Sequence, residues 1–305
     1  YLILRGLDTI EDDLVYFKGK KELQKELLIS FHETLDSSYP LENLKVYQNI
    51  GEGDEQKLLE NYEIVIRCFH TLSKNSQEII KDIVKQMGKG MSLYSDKELE
   101  QGIETVKEYN TYCYYVAGLV GNGLTRLFLE SGVITEENRP QLDVPLNTKE
   151  NAMGAFLQKT NIIRDFYEDY LEGRSFYPQE IWKHYLEHEK DTLGHFCSPK
   201  YLEYTNRSLK MLNHLIMDAL QSVPEVLDYL RSVEETEIFQ FCAIPQVMAA
   251  RTLEKCYNNP SIFYEKVKLR KGLIAKLCTV RNMTDVEHEF SFVLESIESQ
   301  RSEEY

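Results

Sequence analysis

Phe156-Leu157-Gln158-Lys159-Thr160-Asn161-Ile162-Ile163-Arg164-Asp165-Phe166-Tyr167-Glu168-Asp169 is the stretch from which the fold can be read. Its apolar residues recur at helical spacing, while Gln158, Asn161, Asp165, Glu168 and Asp169 fall on one stripe. Such a polar stripe, on a helix otherwise rich in Phe, Leu and Ile, belongs either to a lined cavity or to a solvated face. Asp165, Glu168 and Asp169 stand at i, i+3 and i+4, where like charges oppose one another and ask for a compensating cation. Oxygen donors suit Mg²⁺, which usually bridges one or two carboxylates to substrate phosphates. The same order recurs near the start of the chain as Asp8-Thr9-Ile10-Glu11-Asp12. Acidic chains form loose acidic clusters by accident, but the strict order Asp-x-x-Glu-Asp is expected only ~0.08 times in this composition, so two copies point to function. Each copy has a guanidinium beside it, Arg5 before Asp8 and Arg164 before Asp165, able to take a phosphate oxygen bidentately.

The 305 residues carry 35 Lys+Arg against 50 Asp+Glu, a formal charge of −15. This excludes a general nucleic-acid binder, which needs clustered positive charge. At 42% hydrophobic and 28% charged the chain can bury a sizeable core. Only 15 Gly and 8 Pro leave little punctuation for a many-turned β protein. Periodicity predicts helices near 1–17, 20–36, 57–94, 104–130, 147–172, 199–221, 223–257, 260–277 and 283–300. No linker separates two compositions, so a single all-α domain over 1–305 is expected. The six cysteines show neither zinc nor disulfide spacing, which suits a reducing compartment. The uncharged run Tyr109–Thr125 contains three glycines and reads as a buried core helix rather than a membrane span. Gly118, Gly121 and Gly123 each cost a helix interior about 1 kcal/mol relative to Ala, which close helix approach or room for a bulky apolar ligand would explain. Neither G-x-G-x-x-G nor a Walker A sequence is present, so any dinucleotide binds outside a Rossmann fold. Phe239-Gln-Phe241-Cys242-Ala-Ile-Pro245, taken alone, reads as ordinary core aromatics.

Several blocks together resemble the eukaryotic squalene synthases, the farnesyl-diphosphate farnesyltransferases. They are Tyr1-Leu-x-Leu-Arg5-x-Leu-Asp8-Thr-Ile-Glu11-Asp12, Tyr112-Cys-x-Tyr-Val-Ala-Gly-Leu-Val-Gly121, Phe156-Leu-Gln158-Lys-Thr-Asn161-Ile-Ile-Arg164-Asp165, Gly173-Arg174-x-Phe-x-Pro178, Phe239-x-Phe-Cys-Ala-Ile-Pro-Gln246 and Val267-Lys268-x-Arg270-Lys-Gly272. They run in the family's order from the first residue to about 272.

The resemblance implies an all-α isoprenoid-synthase fold with the two acidic motifs facing each other across a central cavity. It implies that two farnesyl diphosphates condense to presqualene diphosphate, which NADPH then reduces to squalene. Carried over residue by residue, Asp8, Glu11, Asp12, Asp165, Glu168 and Asp169 would hold Mg²⁺ against diphosphate. Tyr112 would assist the first half-reaction as proton acceptor or cation stabiliser, and Phe239 and Phe241 would face the second carbocation. Arg5, Arg164, Lys268 and Arg270 match positions associated with NADPH phosphates. Tyr1, Val116, Val120, Leu157, Gln158, Asn161, Arg174, Cys242 and Pro245 match the substrate pocket. The family also carries an upstream Ser-Arg-Ser-Phe segment and a C-terminal hydrophobic anchor to the endoplasmic reticulum membrane, its catalytic domain facing the cytosol. This chain begins beyond the former and ends in the polar run Glu295–Tyr305, so it is expected to be an excised catalytic segment. Gly6 and Arg251 stand where family members usually carry small or apolar residues.

Overall fold

A computed structural model describes residues 1–134, 149–197 and 205–302. Among these residues there are helices and turns but no strand, as the periodicity requires. None of the described helices is long and apolar enough to cross a membrane. The chain divides into two compact units: Tyr1–Lys97 with Asn122–Ser131, and Glu98–Gly121 with Gly132–Tyr305. The chain crosses between them inside a helix at Gly121–Asn122 and in short turns after Lys97 and Ser131, so composition does not announce the division. The expected helix starts at 147 and 199, and the break through Pro145, lie outside the described residues.

In the first unit, helix α1 (Leu2–Asp12) buries Ile3, Leu7 and Ile10, one apolar stripe at helical spacing. It packs on α2 (Lys21–Ser30), α3 (Gly53–Glu60), α4 (Tyr62–Phe69) and α5 (Lys74–Ser92). The approach is close at Gly6, where an added Cβ would lie 3.2 Å from ring carbons of both Phe31 and Tyr62, so any larger residue would make those rings give by a few tenths of an ångström. α5 comes equally near α2: a Cβ on Gly88 would meet the Leu28 carbonyl oxygen at 2.1 Å.

The single helix expected over 57–94 is three. The Asn61 amide turns back to the Lys57 carbonyl at 2.8 Å and ends α3, and Ser73 caps α5 by accepting the Ser76 N–H at 3.1 Å. Side chains that compete for local backbone partners outweigh the apolar period there. The helix expected over 1–17 stops at Asp12, because Gln24 donates to the carbonyls of Ile10 and Glu11 at 2.9 and 3.0 Å and satisfies the C-terminal turn of α1.

The second unit is built around α8 (Lys149–Arg164), which contacts α6 (Val106–Cys113), the π turn Tyr114–Gly118, α11 (Thr205–Leu220), α12 (Val223–Arg231) and α13 (Thr236–Cys256). The π turn leads into α7 (Leu119–Glu130). Gly154 makes the approach to this turn possible, since a Cβ there would lie 2.1 Å from the Ala117 carbonyl oxygen. Gln246 ties α13 to α8 by donating to the Met153 carbonyl at 3.1 Å. α9 (Phe166–Leu171) and α10 (Gln179–Trp182) follow α8, and α15 (Met283–Ser302) packs on α13. The helix expected over 223–257 is interrupted between Arg231 and Thr236. That expected over 260–277 is a 3₁₀ turn at Pro260–Phe263, an irregular stretch, and then α14 (Lys271–Leu277).

Of the two explanations for the glycines after Tyr112, close helix approach applies at Gly123, whereas the short contact at Gly118 is to its own turn. A Cβ on Gly123 would lie 2.8 Å from the Ile83 side chain, and one on Gly118 would lie 3.1 Å from Tyr114.

Candidate functional site

The first acidic turn sits on α1, on the side away from Leu7 and Ile10. Arg5 lies 3.9 Å from Asp8 and also pairs with Glu55 of α3. Asp8 is about one-third exposed, and burial, reinforced by the charges of Asp12 and Glu55 and opposed by Arg5, pushes its carboxyl up to about 7. A carboxylate crowded in this way is one whose charge a cation would relieve.

The second acidic turn straddles a joint. α8 ends at Arg164, Asp165 has left helical geometry, and Glu168 and Asp169 belong to α9. The polar stripe expected on one helix is therefore carried by two. Asp165 still donates to the Asn161 carbonyl at 2.8 Å and Asp169 to the Asp165 carbonyl at 3.0 Å, so the i, i+4 register survives. Leu157, Gln158, Asp165 and Glu168 are half-buried and Asn161 is exposed, whereas Phe156, Ile163 and Phe166 on other faces are buried.

Three cations serve this turn. Arg164 grips Asp165 through Nε and Nη2, the Nε contact being 2.7 Å, and that hydrogen bond holds the guanidinium pKa above its usual value. Arg174 lies 3.5 Å from Asp169 and 3.1 Å from Glu172. Its placement depends on Gly173, whose φ of 79° lets the chain reverse after α9 so that the Arg174 N–H donates to the Asp169 carbonyl at 3.0 Å. The third cation, Lys266, pairs with Glu168 and lies 3.9 Å from Asp165. Sequence reading missed it because 98 residues separate Lys266 from Glu168.

Tyr112 joins the same neighbourhood. Its buried ring stacks on Phe176 with centroids 4.5 Å apart and planes at 14°, and the Arg174 guanidinium lies 5.9 Å from the Phe176 ring. The candidate proton acceptor is thus linked through one aromatic ring and one arginine to Asp169. Val116 and Val120, one and two turns on, are half-buried.

Phe239 and Phe241 do not share a face. Two residues along a helix is a rotation of about 200°, and Phe239 is 5% exposed while Phe241 is 58% exposed. Phe241 shares its face with the exposed Pro245, whose missing N–H deprives the Phe241 carbonyl of its helical donor. Cys242, buried beside them, has its thiol pushed up to about 12 by burial.

Lys268 and Arg270 lie on the irregular stretch before α14, where Lys266, Lys268 and Arg270 are exposed and Val267 is buried. This alternation presents three cations along one edge. Tyr1, in the first unit, is 92% exposed.

A cleft of about 700 Å³ opens on another stripe of α8, lined by Lys107, Asn110, Asn151, Lys159, Asp218 and Glu225 among others, and by none of the residues singled out from the sequence. Among the described residues no three His, Cys, Asp or Glu side chains converge as a metal cage. The all-oxygen donors nevertheless fit a hard cation that takes one or two carboxylates and completes its shell with phosphate and water.

The family model for squalene/phytoene synthase matches residues 1–272. The chain belongs to the squalene/phytoene synthase family. Within it, the chain is 41% identical over 98% of its length to the Saccharomyces cerevisiae squalene synthase ERG9 and 40% identical over 94% to Arabidopsis thaliana squalene synthase 1, covering 64% of each. It is 41% identical over 89% of its length to the Bos taurus squalene synthase, covering 59% of it. The chain thus spans about three-fifths of these relatives. A solved complex of TcSQS with the ligand E5700 is 35% identical to this family member over 98% of the chain and 89% of that structure, with a TM-score of 0.80. The helical fold is that of the isoprenoid synthases.

Proposed function

We propose that this protein condenses two farnesyl diphosphates to presqualene diphosphate and reduces that product with NADPH to squalene. The observation that carries the reading is the second acidic turn, where carboxylates and cations alternate beside a buried tyrosine stacked on Phe176.

Diphosphate leaves a prenyl carbon readily only once its charge is neutralised. Mg²⁺, held at one acidic turn by Asp8, Glu11 and Asp12 and at the other by Asp165, Glu168 and Asp169, would supply that neutralisation as a Lewis acid. Arg164 and Arg174 already lie against the acids and add fixed positive charge where the leaving oxygens develop theirs. Tyr112, shielded from water by Phe176, offers a phenol oxygen to a proton and a ring face to a cation. Exposed Phe241 offers its ring to the second carbocation, while Phe239 is buried on another face of α13. Lys268 and Arg270, side by side along one edge, suit the phosphates of a dinucleotide bound without a Gly-rich loop. Attachment to the endoplasmic reticulum membrane is part of the same proposal and rests on the resemblance alone.

The test is incubation of the full-length protein with farnesyl diphosphate, Mg²⁺ and NADPH, with products identified by mass spectrometry. Squalene is expected, and presqualene diphosphate is expected to accumulate when NADPH is withheld. Formation of a diphosphate-free C30 hydrocarbon without NADPH consumption would reject the reductive half in favour of a phytoene-type reaction. Full activity in Asp165→Asn would reject the metal assignment.

A further inference from the structure

The mechanism above leaves Lys266 without a task, yet its ammonium sits on the Glu168 carboxylate and 3.9 Å from Asp165, in the place a divalent cation would take. Its backbone is fixed there. Val267 is buried, the Lys255 ammonium bonds the Lys268 carbonyl, and Phe263 packs edge-on against Phe166 of α9 at 5.5 Å. The other two cations of the turn are planar forks with several partners: Arg164 holds Asp165 through two nitrogens, and Arg174 reaches Asp169, Glu172 and the Phe176 ring. Lys266 is instead a compact charge on a flexible stem, the one of the three that can be exchanged without dismantling the turn.

We propose that Lys266 is the resident counter-ion of the second acidic turn, displaced from Asp165 and Glu168 when a divalent cation binds and received by the diphosphate that accompanies it. A metal arriving alone must expel the ammonium toward Lys268 and Arg270, which are exposed along the same edge and repel it. A metal arriving with diphosphate brings the anion that accepts the displaced charge. Metal and diphosphate therefore bind with positive coupling, and Lys266 acts as a positioning residue rather than a catalytic one. The inference rests on the metal–diphosphate reading of this turn.

The test uses full-length protein stripped with chelator, with Mn²⁺ and inorganic pyrophosphate as probes. Free Mn²⁺ affinity is read by electron paramagnetic resonance, and pyrophosphate affinity at fixed free Mn²⁺ by calorimetry. Because the ion pair is partly solvent-exposed and so screened, Lys266→Gln should tighten Mn²⁺ alone by about five-fold and weaken pyrophosphate by a similar factor, while Lys266→Arg restores both toward wild type. Opposite shifts are the signature, since a merely structural loss would weaken both. Both shifts should vanish in an Asp165→Asn, Glu168→Gln background. Constants within two-fold of wild type, or both weakened together, would overturn the role of Lys266 while leaving the metal site standing. Absence of Mn²⁺ uptake by any of the proteins, with or without pyrophosphate, would remove the metal reading and this inference with it.

Discussion

Substituting Gly154 by Ala tests whether the contact between α8 and the π turn sets the site. The added methyl would lie 2.1 Å from the Ala117 oxygen, 2.5 Å from its carbonyl carbon and 2.8 Å from the Gly118 nitrogen. All three atoms are backbone, so relief requires the two segments to separate by about 1 Å rather than a side chain to swing aside. Overpacking of this kind costs about 1–3 kcal/mol, and at a backbone obstacle the upper end applies. Helix propensity returns about 1 kcal/mol. The net loss is about 2 kcal/mol, a fall in Tm of roughly 4–8 °C for a unit of this size. Because Val116 adjoins the obstructed carbonyl and Leu157 lies one turn from Gly154, turnover should fall as well. Gly272→Ala, where nothing lies within 4 Å, is the control and should not lower Tm. The assay is thermal unfolding by circular dichroism beside steady-state kinetics. A Gly154→Ala protein as stable as wild type would refute the close approach from which this reasoning starts.

Four further outcomes are expected. Cys68 and Cys278 are exposed and should react rapidly with a thiol reagent at pH 8, whereas Cys113, Cys242 and Cys256 should react only on unfolding. Burial raises those three, and Cys197, to about 12 from 9.0, so the unfolded chain loses thiol protons first and stability should decline as pH rises above about 9, measured by urea unfolding at pH 8 and 10. Asp218→Asn should cost about 3–5 kcal/mol by stranding the buried Lys159, whose ammonium is 2.7 Å from Asp218, and Lys159→Met in the same chain should recover most of it. Arg174→Lys should lower kcat by roughly ten-fold with little change in Tm, because a point charge cannot span Asp169, Glu172 and the Phe176 ring together.

Fold class and both acidic turns were legible because each is written within a few consecutive residues: helical periodicity in one case, a strict i, i+3, i+4 order in the other. What escaped depends on distant partners. Lys266 meets Glu168 across 98 residues, and Gly154 matters only because Ala117 happens to face it. The breaks at Asn61 and Ser73 did carry a local signal, but apolar residues recurring on both sides masked it. Phe239 and Phe241 are paired by the resemblance, while helix geometry turns them apart. The division into two units left no compositional trace, since the chain passes between them within α7 and through two short turns rather than through a linker.

The π turn at Tyr114–Gly118 holds one more residue than an α-turn needs. Deleting a single residue there would restore an ordinary α turn and leave Tyr112 at nearly its present angle to Leu119–Gly121, because the wider turn already absorbs the extra residue within one revolution. The angular setting of Tyr112 is thus buffered against a one-residue change in chain length that, within a regular α-helix, would turn it by about 100°.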